Sequence, residues 1–434
     1  MATEITSRIS ISKKILLVSL TFSLPIAVLG YLVVSNIDEN SRIAALEASG
    51  NAYQTPLEWL LRDTLEHQRL ARHCPANTDC KAQMVQLQDG VSKGLVALAA
   101  VDAKFGTQLE FTTEGLAKRN RQLATGDNLA KTWHDIVDAL DKSQGQSTPD
   151  IDAKYADVNG IINTMITHLG DTSTLILDPV LDTYYTMDIT LLALPQNQNR
   201  ISRMIADAIT AFSHEAFTAE DRMTFAANAA LLQTSDIDRV NADVQTALNE
   251  NKNDFHDAVA SFQEKLPAGA KEWTDANVKL VAMTKDLATA ATPAVTLDEY
   301  IDTAVKAQQS AFKFWDTAAR ENDNLFQMRV DFYNNRRNFS LLMAAIALLF
   351  SGFIAYLVTR SMIVPLNKLT LTLKPGATLL AGSVQQISEA SKKGAHDAAT
   401  TAIICEELTA HADDMRNTAQ NLEILVFGHA IKQS

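Results

Sequence analysis

Hydrophobic and polar positions divide this chain into two regimes. Two stretches carry no charged residue, positions 15–37 (ILLVSLTFSLPIAVLGYLVVSNI, 23 residues) and 338–359 (NFSLLMAAIALLFSGFIAYLVT, 22 residues), while everything between them is distinctly polar. A helix needs about 20 apolar residues to cross a hydrocarbon layer of about 30 Å, so each stretch predicts one crossing. The first could instead be a cleaved signal peptide. Its apolar run exceeds the usual core of about 7 to 15 residues, however, and no A-x-A site follows, which favours a retained anchor.

Outside these stretches no period-two alternation appears, and long helices are predicted between short breaks. The breaks fall at Cys74-Pro75, Thr125-Gly126-Asp127, Ser147-Thr148-Pro149-Asp150, Leu194-Pro195, Pro267-Ala268-Gly269 and Thr292-Pro293. The first helix is expected to leave the membrane and continue to about His73, where Pro75 restricts the residue before it. Asp178-Pro179 reads as an N-cap followed by Pro at the first helical position. Thr296-Leu297-Asp298-Glu299 reads as a capping box. The helix it opens meets no Gly or Pro before Gly352, so it should run unbroken into the second apolar stretch and couple the two sides rigidly.

Composition agrees with an all-α chain. Gly and Pro total 26 residues of 434, about half their ordinary share. With 51 acidic against 38 basic residues the net charge is -13, which leaves no strongly basic surface for phosphates and excludes nucleic acid as a partner. Arg8, Lys13 and Lys14 precede the first apolar stretch, and Arg360, Lys368 and Lys374 follow the second, which places both termini in the cytoplasm. Arg336 and Arg337 oppose this assignment, but long translocated loops weaken the charge rule. The expected layout is a cytoplasmic N-terminus (1–14), a transmembrane helix (15–37), a periplasmic helical bundle (38–337), a second transmembrane helix (338–359), a short linker (360–376) and a cytoplasmic coiled-coil helix (377–434).

Cysteine placement tests sidedness independently, because disulfides persist in oxidising compartments. Cys74 and Cys80 lie on the outer side within HCPANTDC, close enough across a Pro-Ala-Asn-Thr turn to be bonded, while Cys405 is alone on the inner side. The competing reading is a pair of free thiols. A metal site is disfavoured, since only His67 and His73 stand nearby.

Beyond an expected break at Pro375-Gly376, small or apolar residues recur at 3,4 spacing from Val384 through Ile387, Ser391, Gly394, Ala398, Thr401, Cys405, Leu408, Ala412, Met415, Ala419 and Leu422 to Val426. That is a coiled-coil seam, weakly packed because more than half of its positions are small or polar, and in need of dimerisation or tethering. An amphipathic helix docked on another element would show the same pattern.

The chemistry-bearing motifs are sparse. There is no phosphate loop, zinc-binding H-E-x-x-H, nucleophile elbow or kinase signature, so neither an enzyme nor a cofactor is expected. Asp178, Asp182 and Asp188 form the densest carboxylate set, which helix capping explains better than catalysis. Tyr184, Tyr185 and Met187 read as core. His67, Arg69 and Arg72 cluster near the end of the first helix, where they would pair with an anionic ligand across a dimer interface. The competing reading is a solvent-facing basic stretch, or ion pairs with Asp63 and Glu66.

Two apolar spans flanking a large helical region, Pro365-Leu366 just inside, and then a small-residue heptad helix resemble a bacterial methyl-accepting chemotaxis receptor. GDTSTLILDPVLDTYYTMDITLLALPQ (170–196) is similar to a segment of the outer regions of such receptors and of related sensor kinases, and PLEWLLRDTLEHQRLAR (56–72) is similar to their first sensor helix. The resemblance implies a dimeric inner-membrane receptor for a small molecule or a periplasmic protein. It also implies adaptation sites at Gln385, Gln386, Glu406 and Glu407, where esterifying a carboxylate relieves like-charge repulsion in a bundle. Against it, Glu406 and Glu407 also fit the solvated face of an ordinary coiled coil. Only the start of a HAMP-type linker is legible, and the hairpin tip that contacts the kinase has no counterpart before Ser434. The expected use is therefore a shortened receptor that joins other chemoreceptors or acts through another chain. The alternative is a membrane-anchored helical scaffold that binds an envelope partner without signalling.

Overall fold

The computed structural model describes residues 11–74, 79–255, 259–290, 294–393 and 398–427, all helical or connecting, with no strand among them. The helices are α1 (Ile11–Arg72), α2 (Cys80–Phe105), α3 (Thr113–Lys118), α4 (Gly126–Lys142), α5 (Pro149–Thr172), α6 (Leu181–Met187), α7 (Leu194–Phe212), α8 (Ala219–Leu231), α9 (Arg239–Phe255), α10 (Ala260–Thr289), α11 (Leu297–Lys393) and α12 (Ala398–Phe427). π-Helical turns at Asp188–Ala193 and Leu232–Asp238 join α6 to α7 and α8 to α9 without interrupting the helical path. The helices divide into two units, residues 39–334 and the remainder.

Residues 39–334 bury two apolar cores. The first takes Leu57, Leu61 and Leu65 from α1, Trp133 from α4 and Tyr155, Ile162 and Leu169 from α5. The second gathers Ile201 and Ala208 of α7, Phe225 of α8, Val240 of α9, Phe262 and Trp273 of α10, and Tyr300, Phe314 and Trp315 of α11. α2 lies unusually close to α1: a Cβ added at Gly90 would stand 2.3 Å from Asp63 Oδ2, and one at Gly94 would stand 2.9 Å from Leu60 Cδ2. Glycine at that spacing is what lets the two backbones approach. Capping follows the sequence at several ends. Thr125 and Thr148 accept from Asn128 and Ile151 N–H, and Thr296 and Glu299 exchange the reciprocal bonds of a capping box. Cys74 and Cys80 are disulfide-bonded, with Cα atoms 6.0 Å apart, and the bond ties the end of α1 to the first residue of α2.

Several expected breaks are absent. Pro267 lies inside α10, where the loss of a hydrogen bond is offset by burial of Phe262, Leu266, Ala270 and Trp273 on one face. Leu194-Pro195 opens α7 directly out of a π turn. Asp178-Pro179 does not begin a helix: α6 starts at Leu181 after an N-cap at Val180, and Asp178 Oδ1 accepts from Val180 N–H at 2.9 Å in a turn ahead of it. Of Thr292-Pro293, both residues fall outside the described set.

In the other unit, residues 11–38 of α1 and 335–393 of α11 accompany α12. α11 contains a segment long and apolar enough to cross a membrane, none of it buried, with Leu349 75 % and Phe339 63 % exposed. Leu24 and Leu29 of α1 are likewise exposed. Pro365 and Pro375 sit within α11 rather than ending it. The heptad pattern is also shared between two helices rather than carried by one. Lys374 of α11 reaches Glu423 of α12 at 3.4 Å, so the helices return antiparallel, with Val384 and Ala412 buried and Ile387 and Met415 exposed. Gly394 of that pattern lies outside the described residues.

Candidate functional site

The second half of α1 carries polar residues at 4,3,4 spacing, Glu47, Asn51, Gln54 and Glu58, and all four are buried. α11 presents Gln308, Trp315, Asn322 and Arg329 at intervals of seven, also buried. Helical spacing of this kind places each set on one face. These faces meet at a polar seam between the two cores. Asn51 donates to Ala319 O at 2.9 Å and to Asp323 at 2.7 Å. Gln54 of α1 and Trp315 of α11 both donate to the Thr190 carbonyl, at 2.7 and 2.8 Å. Pro195 explains why that carbonyl is available: in a π turn it would accept from the N–H five residues on, and proline has none. Gln198 of α7 donates to Glu58, and its own carbonyl accepts from Gln308 at 3.1 Å.

One end of the seam holds a buried ionic cluster. Arg329 lies 3.0 Å from Asp178 and 3.1 Å from Glu47, and it also donates to Thr183. Burial, with the Asp178 charge adding to it, pushes the Glu47 carboxyl up to about 8 despite Arg329. Burial likewise pushes Glu58 up to about 8, opposed by Gln198 and Arg62. Several seam atoms have no protein hydrogen-bond partner: both oxygens of Glu47, Gln54 Oε1, Glu58 Oε2, both amide atoms of Asn322 and Arg329 Nε. Each such atom costs free energy in the arrangement present, so the α1/α11 contact is specific but not deeply stable.

A groove of about 670 Å³ opens beside the seam. Gln68 and Arg72 of α1, Asp152, Asn159 and Asn163 of α5, and Asn199, Arg200 and Arg203 of α7 line it, together with Leu191 and Leu192 of the π turn. Arg72 pairs with Asp152 and Arg200 with Asp236, each at 2.8 Å, while Arg203 makes no ion pair with any described residue. Arg203, the guanidinium there without an ion pair to a described residue, stands among amide side chains and suits an organic anion.

The three residues singled out from the sequence separate. Arg72 lines the groove. Arg69 is buried and holds Glu66 at 2.7 Å, the ion-pair alternative. His67 is fully buried, bonded through Nδ1 to the Tyr155 hydroxyl and edge-on to Trp133, and burial pushes its ring down to about 4. It is a neutral core residue and no anion ligand. Asp188 holds Arg239 through both oxygens, and buried Asp182 accepts from Thr183 N–H and Asn251, so both are structural. Gln385, Gln386, Glu406 and Glu407 are all exposed on α11 and α12. No group of three or more His, Cys, Asp or Glu among the described residues could hold a metal ion. The seam itself went unread in the sequence, although the 4,3,4 run of Glu47, Asn51, Gln54 and Glu58 is its signature. Compared with family models, with curated proteins and with solved structures, the chain matches none.

Proposed function

We propose that the chain is a dimeric sensor of the chemoreceptor type in a bacterial inner membrane, with both termini in the cytoplasm. In this reading occupancy of the outer bundle is passed inward by displacement of α11 against α1. The observation that carries it is the seam. The two helices that hold the apolar stretches meet through polar groups that are incompletely satisfied, and such a contact admits a second register at small cost. A small organic anion in the groove would touch Arg72 of α1, Arg203 of α7 and the π turn whose Thr190 carbonyl receives Gln54 and Trp315. The signal route is therefore short. α11 then runs as one helix from Leu297 to Lys393.

Two measurements test the proposal in cells. Cys405 is the free cysteine among the described residues, so an impermeant maleimide should label the chain only after permeabilisation. Glu406→Gln with Glu407→Gln should change swimming bias or methyl incorporation. Labelling of Cys405 in intact cells would refute the topology, and silence in both signalling assays would favour the scaffold.

A further inference from the structure

Away from the groove, α2, α3 and α4 line an open cleft of about 400 Å³ at the edge of the first core. Tyr53 of α1 forms part of its wall. That ring is 1 % exposed and stacks on Phe111, with centroids 4.3 Å apart and planes 7° from parallel. Leu95 and Leu98 of α2 and Leu116 of α3 supply an apolar side. Asp102 and Asp127 supply the charge, and the lining contains no Lys, Arg or His.

Local sequence builds this shape. α2 ends where Gly106 N–H returns to Asp102 O at 2.7 Å. The chain then reverses through Glu110, whose φ of 52° is left-handed. Gly115 follows so closely that a Cβ there would fall 2.3 Å from the Glu110 carbonyl, and the tight turn seats Phe111 on Tyr53. Thr125 caps α4, which places Asp127 in its first turn.

The polar contacts decide the charge of a guest. The Tyr53 hydroxyl donates to Asp102 Oδ1 at 2.8 Å. Burial first, and the Asp102 charge next, hold that phenol protonated well above its ordinary range, so Tyr53 is the donor of the pair and Asp102 the acceptor. Neither Asp102 nor Asp127 forms an ion pair with a described residue. An anionic guest would meet two carboxylates and no cation, since Asp127 already offsets the positive end of α4. Asp102 and Asp127 are both exposed at the mouth, so their charge faces solvent and no protein cation offsets it. An ammonium group would gain a charge-assisted hydrogen bond there that a neutral guest would not, and the Phe111 ring and leucines call for a hydrocarbon body beside that group.

We infer that this cleft binds a small primary amine with an apolar or aromatic body, its ammonium received by Asp102 and its body lying against Phe111, Leu95 and Leu98. The site is separate from the arginine groove and opposite to it in charge preference. It stands whether or not the chain signals. Tyr53 of the cleft wall is followed by Gln54, whose amide reaches Thr190 O in the seam.

The test is calorimetry on the detergent-solubilised full chain with phenethylamine, 2-phenylethanol and phenylacetate, which share a body and differ in charge. The amine should bind at least about tenfold more tightly than the alcohol, the yield of one charge-assisted hydrogen bond, and the carboxylate should bind least. Asp102→Asn should abolish the preference for amine over alcohol while leaving alcohol binding in place. Ala99→Trp, at the exposed rim of the cleft, keeps both carboxylates and should block amine and alcohol alike. The inference fails if wild-type protein does not bind the amine, if the three probes bind equally, or if the carboxylate binds best. It also fails if either variant retains the wild-type preference and affinity.

Discussion

Residues 39–334 and the remainder of the chain meet opposite requirements. The first unit buries Glu47, Glu58, Asp178, Asp182 and Arg329, while the second leaves Leu349, Phe339 and Leu24 open to their surroundings. Buried charge is tolerated only where partners replace water, whereas a long uncharged run of exposed apolar residues suits apolar surroundings. α11 belongs to both units. Up to Arg329 it has a polar and aromatic face at intervals of seven, and from position 338 it has no charge and no distinct face for over twenty residues. The lesson is that hydropathy reports the surroundings of a helix, whereas burial of its polar residues reports what it must hold in register.

The largest way to break the comparison is to strand the buried charges. Arg329→Ala leaves the buried Asp178 carboxylate without its cation and Glu47 without its ion-pair partner, and the bundle should lose about 3–5 kcal/mol, read as a fall in thermal midpoint. Adding Asp178→Asn and Glu47→Gln to that variant should recover part of the loss. An Arg329→Ala midpoint within one degree of the parent would mean that the cluster holds nothing. Next in size is a charge placed where the second unit is apolar. On the proposed membrane location, Ala345→Asp should oppose insertion by about 3 kcal/mol and lower the membrane-bound fraction, whereas Ala226→Asp, on an exposed position of α8, should shift stability by less than about 0.5 kcal/mol.

Titration sharpens the same contrast. Glu47 and Glu58 bind protons more tightly folded than unfolded, 4.5 rising to about 8 in each case, so their contribution is full below pH 4.5 and is lost as pH rises to about 8. His67 acts the other way: its ring goes from 6.5 down to about 4, so stability falls as pH drops through that window. Between pH 6.5 and 8 the glutamates act without His67. Chemical denaturation across that range should show declining stability, and Glu47→Gln with Glu58→Gln should flatten it. An unchanged slope would show that both carboxylates are already ionised in the folded bundle.

Much of the fold was legible because its signals are local. The apolar runs, the breaks at Thr125 and Thr148, the Thr296 capping box, the end of α1 at Arg72 and the Cys74–Cys80 pairing depend on neighbours within a few residues. The prolines misled where tertiary packing outweighs the lost hydrogen bond, as at Pro267, or where a π turn absorbs it, as at Pro195. The functional groups were the least legible. His67 and Arg72 look equivalent in sequence at five residues apart, yet one faces Trp133 in the core and the other lines the groove. Asp178 looked like a cap because its actual partner, Arg329, lies 151 residues away.

The smallest effect concerns the loop that closes α1 onto α2. Cys74 and Cys80 are six positions apart, and a loop so short confers about 2 kcal/mol by restricting the unfolded chain. The α1 end is held independently, since Arg72 pairs with Asp152 and Ser147 N–H donates to Ala71 O at 2.8 Å. Cys74→Ser with Cys80→Ser should therefore lower the thermal midpoint by about 3 °C and leave helix content unchanged. Reducing agent should reproduce that shift in the parent and do nothing to the variant, while Cys405, at the other end of the chain, responds to neither. A larger collapse would show that the bond holds the register of α1 and α2, and that Gly90 and Gly94 alone do not keep those backbones together.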